Sequence, residues 1–145
     1  EIENIKELIN GITRYLPRSS ILIVDDNSPD KTSEVVKELR KKNHSINLIE
    51  REKKLGLDTA HKIAFRYAVK NNFDYLITMD ADLSHHPKEL PEFIKNLKNY
   101  PFVIGSRYVS ETYSFPNWFI TTFEGSIKDP DKISSSLPWP NCIST

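Results

Sequence analysis

The chain has little cysteine: Cys142 is the only one in 145 residues, which excludes an internal disulfide and any multi-cysteine zinc cluster. That usage fits a reducing compartment, with Cys142 a bystander thiol. Long hydrophobic runs are lacking too. No stretch approaches the roughly 20 apolar residues that span a bilayer, and no signal peptide precedes the first helical pattern, so no membrane anchor is expected within the chain. There is also no excess charge of either sign. Twenty basic residues balance twenty acidic ones, which leaves no electrostatic footprint for nucleic acid. The local clusters Arg40-Lys41-Lys42 and Lys53-Lys54 read as solvated faces. The length allows one domain. The chain opens on Glu1 instead of an initiator Met, so it is expected to be a piece of something longer.

What is present is a regular alternation of two periodicities. Ile2, Ile5, Leu8, Ile9, Ile12 and Leu16 recur at three- and four-residue intervals and predict an amphipathic helix that Pro17 ends. Residues 20–26, Ser-Ile-Leu-Ile-Val-Asp-Asp, form a β-branched run too short for a helix and too apolar for a surface strand. Asn27-Ser28-Pro29-Asp30 supplies turn chemistry, with an N-cap at Asp30 or Thr32, before a helix that turns Val35, Val36 and Leu39 inward. A second strand is expected over residues 46–50, and a helix over about 57–70. In that helix His61 reads as a surface or packing residue. A turn at Pro87 leads into a helix starting near Pro91, and a further strand covers residues 101–104. Helices alternating with strands, with no hairpin signal between them, predict an α/β fold with a parallel sheet between helical layers.

The most informative stretch is residues 74–87, where a short apolar run ends in Asp80-Ala81-Asp82. In an open α/β sheet the carboxyl ends of strands face the ligand crevice. Acids at i and i+2 on an extended backbone project to the same side and can share one hard divalent cation, Mg²⁺ or Mn²⁺. The same two acids could instead cap a turn. His85 and His86 lack a zinc partner set and can simply shape the turn before Pro87.

Four segments in order, ILIVDDNSPDKT, REKKLGLDTAHKIA, MDADLSHHPKELPEFI and VIGSRYV, resemble the catalytic domain of family 2 glycosyltransferases. MDADLSHHP is most similar to the dolichyl-phosphate mannosyltransferase branch. The resemblance implies a Rossmann-like three-layer α/β/α domain of glycosyltransferase A type, with a mainly parallel sheet. It also implies transfer of mannose from GDP-mannose to dolichyl or another polyprenyl phosphate, with inversion. By position, it assigns Glu1, Ile23, Asp25, Asp80, Ala81, Asp82, Ser84 and Arg107 to the nucleotide-sugar site. Of these, Asp80, Asp82 and Ser84 would hold Mg²⁺ or Mn²⁺, and Asp82 and Arg107 would be catalytic. It further implies the cytosolic face of the endoplasmic reticulum membrane and small membrane-anchoring subunits as partners.

Two departures from the family pattern lead to further expectations. The first strand of the family is missing, because the chain begins at what would be that strand's closing Glu, so the fold is expected to be incomplete. That strand would lie between those ending at Asp25 and Asp80, leaving two inner edges unpaired or paired with each other. Residues 1–110 would then be a partial nucleotide-sugar-binding domain, and residues 111–145 a divergent, Ser/Thr/Pro-rich, poorly ordered tail. Two other functions stay open on the sequence: an inactive glycosyltransferase fragment serving as a binding or interaction module, and a response-regulator receiver domain, whose opening strand ILIVDDN imitates. Against the receiver, Gly105-Ser106-Arg107 stands where a Lys-Pro pair would be needed.

Overall fold

The computed structural model describes residues 2–98, 102–105 and 118–122. Helix α1 (Ile2–Tyr15) leads into β1 (Ile21–Asp25), α2 (Thr32–Lys42), β2 (Ile46–Glu50) and α3 (Leu57–Lys70). There follow β3 (Tyr75–Thr78), the short 3₁₀ turn η1 (Pro87–Glu89), α4 (Leu90–Leu97), β4 (Phe102–Gly105) and β5 (Trp118–Thr122).

Each element follows from a local cause. The stripe on α1 buries Ile5, Leu8, Ile9 and Ile12. The expected N-cap at Asp30 or Thr32 is corrected by one position: Lys31, left-handed at φ 62°, is the N-cap of α2, while Asp30 just before it accepts the Thr32 N–H at 3.2 Å and the Thr32 hydroxyl at 2.7 Å on Oδ1. The expected break between Pro87 and Pro91 is also found. Pro87 starts η1, and Pro91 sits in the first turn of α4, where a missing N–H costs nothing.

Strands β1 and β2 pair in parallel, from Ile21 opposite Ile46 to Asp25 opposite Glu50. In the second sheet the order is β3-β5-β4, with β5 antiparallel to both neighbours. Residues 118–122, within the stretch read as a divergent tail, contribute β5, which lies between the two strands flanking α4. An antiparallel member of this kind leaves no hairpin signal in the sequence. Trp118–Thr122 is β-favouring, but its partners are distant in sequence and leave no local trace.

The main core lies against α1, α2 and α4, where Ile21, Val36, Ile46, Leu90, Phe93 and Leu97 join the α1 stripe. Helix α3 adds no member to that cluster and packs against both β1 and β3. Since Ile21 and Ile23 turn toward the main core, strand alternation gives the opposite face of β1 to α3. The result is three layers, α/β/α. Among the described residues β1 and β3 do not pair with each other, although α3 touches both, so the sheet is split where the missing strand was expected.

Candidate functional site

The acids found in the sequence stand at the carboxyl ends of β1 and β3. Asp25 ends β1, only 5% exposed, and its Oδ2 accepts the Ser28 N–H at 3.2 Å. Ile23, two residues earlier, packs against the core. Asp26 forms an ion pair with Nε of Arg51, whose other guanidinium arm donates to the Thr59 hydroxyl of α3. The Arg51 amide also donates to the Asp25 carbonyl at 2.8 Å. One buried arginine thus ties the ends of β1 and β2 to the first turn of α3. Nothing in the local sequence marks Arg51 as a junction; the signal lies in the strand register, because extending Asp25 opposite Glu50 by one position puts Asp26 opposite Arg51.

The second acidic cluster is built differently from its sequence-based description. Strand β3 stops at Thr78, and Asp80-Ala81-Asp82 lie in a loop and turn instead of continuing the extended backbone. Strand alternation is therefore not what orients the two carboxylates. All three residues are exposed. Asp82 Oδ1 accepts the Ser84 N–H at 2.9 Å, across Leu83 in the left-handed region at φ 64°. Turn capping and an accessible carboxylate are thus combined in one residue. Hydrogen bonds from the Ser84 hydroxyl and then from its amide hold the Asp82 carboxyl below the usual aspartate range.

His85 was expected only to shape the turn. It is buried and accepts the Asp80 N–H on Nδ1 at 2.9 Å. His86 is exposed, and its Nδ1 accepts the Lys88 N–H at 3.1 Å, capping η1. His61 on α3 is half-buried, and burial pushes its pKa down, opposed by the negative charges of Asp80 and Asp58.

Among the described residues no three of His, Cys, Asp and Glu converge as a metal cage. The donor set on the loop is two carboxylates and a hydroxyl, all hard oxygens. Such a set fits Mg²⁺ or Mn²⁺ held jointly with phosphate oxygens and does not fit a closed zinc site. Glu1 and Arg107 lie outside the described residues.

Asp25 thus closes β1, and Asp80-Ala81-Asp82 follow β3 within a three-layer fold. The family model for glycosyl transferase family 2 matches residues 1–143. The chain belongs to that family. The match sets aside the receiver-domain reading. Among curated proteins, this family 2 glycosyltransferase chain is 40% identical over 112 residues to a dolichol-phosphate mannosyltransferase of Pyrococcus furiosus, covering 75% of this chain and 31% of that protein. It is 35% identical over 109 residues to an undecaprenyl-phosphate mannosyltransferase of Micrococcus luteus, covering 75% and 45%. To a polyprenol monophosphomannose synthase of Mycolicibacterium smegmatis it is 33% identical over 111 residues, covering 75% and 42%. The chain spans less than half the length of these relatives. No helix among the described residues is long and apolar enough to cross a membrane.

Proposed function

We propose that this protein transfers mannose, with inversion, from GDP-mannose to dolichyl or another polyprenyl phosphate. The observation that carries the reading is the exposed Asp80-Ala81-Asp82 loop at the end of β3, with hydrogen bonds from Ser84 lowering the Asp82 pKa, in a chain whose curated relatives are named as mannosyltransferases acting on lipid phosphates. Asp25, near the end of Ile23's strand, would meet the nucleotide. Asp80, Ala81 and Asp82 would meet the diphosphate, and Asp80, Asp82 and Ser84 would hold Mg²⁺ or Mn²⁺. When bound, that ion supplies Lewis-acid stabilisation of the charge that builds on the departing diphosphate.

The chain's own residues have a limited task. A phosphate monoester has its second pKa at about 6 and is mostly ionised near neutrality, so the acceptor needs no general base. It does need a cation to bring two anionic phosphates together. Arg107, with its planar fork of donors, takes that role in this reading, and Glu1 closes the nucleotide-binding loop. Small anchoring subunits at the cytosolic face of the endoplasmic reticulum would bring the site to its lipid substrate.

The split between β1 and β3 favours a second reading, in which the chain survives as an inactive binding or interaction module. Both readings are separated by incubating the chain with GDP-[¹⁴C]mannose, polyprenyl phosphate and Mn²⁺ and counting label in the organic phase. The transfer reading expects lipid-linked label that is absent with Asp82→Ala. A folded chain giving no label above that of Asp82→Ala overturns it in favour of the module.

A further inference from the structure

The exposed acids are held in place by a buried base. His85 is 5% exposed, and its Nδ1 lies 2.9 Å from the Asp80 amide nitrogen. A backbone N–H can only donate, so Nδ1 is the acceptor and carries no proton, which leaves the ring proton on Nε2. This bond closes the backbone from Asp80 to His85 around the imidazole. Within that closure Ser84 donates its N–H to Asp82 Oδ1 at 2.9 Å, and Leu83 takes the left-handed conformation at φ 64° that makes the turn possible. Immediately after it, buried Pro87 fixes the start of η1. The loop is therefore restrained from inside while Asp80, Ala81 and Asp82 stay exposed outside.

Two neighbouring histidines do different work here. His86 is exposed and caps η1 through Lys88. His85 acts on the backbone of a residue assigned to the diphosphate and the cation. Removing the acceptor would release the Asp80 amide and allow the two carboxylates to change their spacing. Groups that orient ligand residues in this way typically matter about 10- to 100-fold for metal affinity.

We propose that His85 is a positioning residue of the nucleotide-sugar site: its Nδ1 fixes the Asp80 amide and so sets the spacing at which Asp80 and Asp82 meet a cation-bound diphosphate. It touches neither the donor nor the ion. The proposal rests on the transferase reading of this loop.

The test compares His85→Asn, whose amide oxygen can occupy the place of Nδ1, with His85→Leu, which has bulk but no acceptor. Each is titrated calorimetrically with GDP-mannose at saturating Mn²⁺, and each thermal midpoint is recorded. The expected result is about a tenfold or larger loss of donor affinity in His85→Leu with His85→Asn within about threefold of wild type, although both lose the ring. Equal losses in the two variants, losses that simply follow their thermal midpoints, or no loss in either would overturn the proposal. A long-range ¹⁵N spectrum of the wild-type chain showing the proton on Nδ1 would also overturn it. If the folded wild-type chain binds no donor, the transferase reading and this proposal fall together. Wild-type binding with indifferent variants defeats the proposal alone.

Discussion

Pro87 packs onto Gly11 of α1 so closely that a Cβ built on Gly11 would stand 2.7 Å from Pro87 Cγ and 3.0 Å from its Cβ. Two effects then compete in Gly11→Ala. Alanine is favoured over glycine in a helix interior by about 1 kcal/mol, whereas overpacking a tight contact costs about 1–3 kcal/mol. The proline ring cannot rotate away as a flexible side chain would, so the clash wins. Urea unfolding should show a loss of about 1 kcal/mol, and a more stable variant would show that η1 yields easily.

Arg51 is the second junction. Its side chain is 7% exposed while that of Asp26 is 24% exposed, so the pair is mostly removed from water. Arg51→Met keeps most of the stem's packing but strands Asp26, while the Thr59 hydroxyl keeps its bonds to the Leu55 and Gly56 carbonyls. It should destabilise the fold by about 1–3 kcal/mol. A double-mutant cycle with Asp26→Asn should return a coupling of about 1 kcal/mol or more. Additive losses would mean that the pair contributes packing alone.

Stability should depend on pH through His61. Its folded pKa is lowered by burial, against the opposing charges of Asp80 and Asp58. Below the ordinary histidine pKa the unfolded chain takes up a proton that the folded chain still resists. Stability therefore falls with pH from about 6.5 down to the folded pKa, and levels off for this group below it. Chemical denaturation at a series of pH values should show that slope diminished in His61→Gln. An unchanged slope would assign it to other groups.

Ser84 should be seen through Asp82. The serine hydroxyl is the first cause of the lowered Asp82 pKa, and the amide bond is the second. Ser84→Ala removes only the hydroxyl, so a carboxyl ¹³C titration should move the Asp82 midpoint upward but not fully to the ordinary aspartate value. No movement would mean that the hydroxyl bond does not persist in solution.

Most of this architecture could be read from local pattern. Strand β2 falls on the predicted residues, β1 is one residue shorter at each end, and α3 occupies the predicted span. These elements carry their own periodicity, caps and proline boundaries. Residues whose role depends on distant partners could not be read in this way. Trp118–Thr122 becomes an inner strand only because β3 and β4 leave room between them. Arg51 and His85 look like an ordinary loop cation and a turn residue until the fold buries them. The acids were visible by spacing, but the extended backbone expected to orient them does not reach them. Strand β3 stops at Thr78, and a left-handed Leu83 and the His85 imidazole acceptor shape the loop that carries the acids.

The most direct measurement is calorimetric titration of the folded chain with GDP-mannose, with and without Mn²⁺, beside Asp82→Ala and with UDP-glucose for comparison. The account predicts saturable binding of GDP-mannose that requires Mn²⁺, is lost in Asp82→Ala and is weaker for UDP-glucose. Absence of GDP-mannose binding, or binding indifferent to both Mn²⁺ and Asp82, would contradict the assignment of this loop as the nucleotide-sugar site.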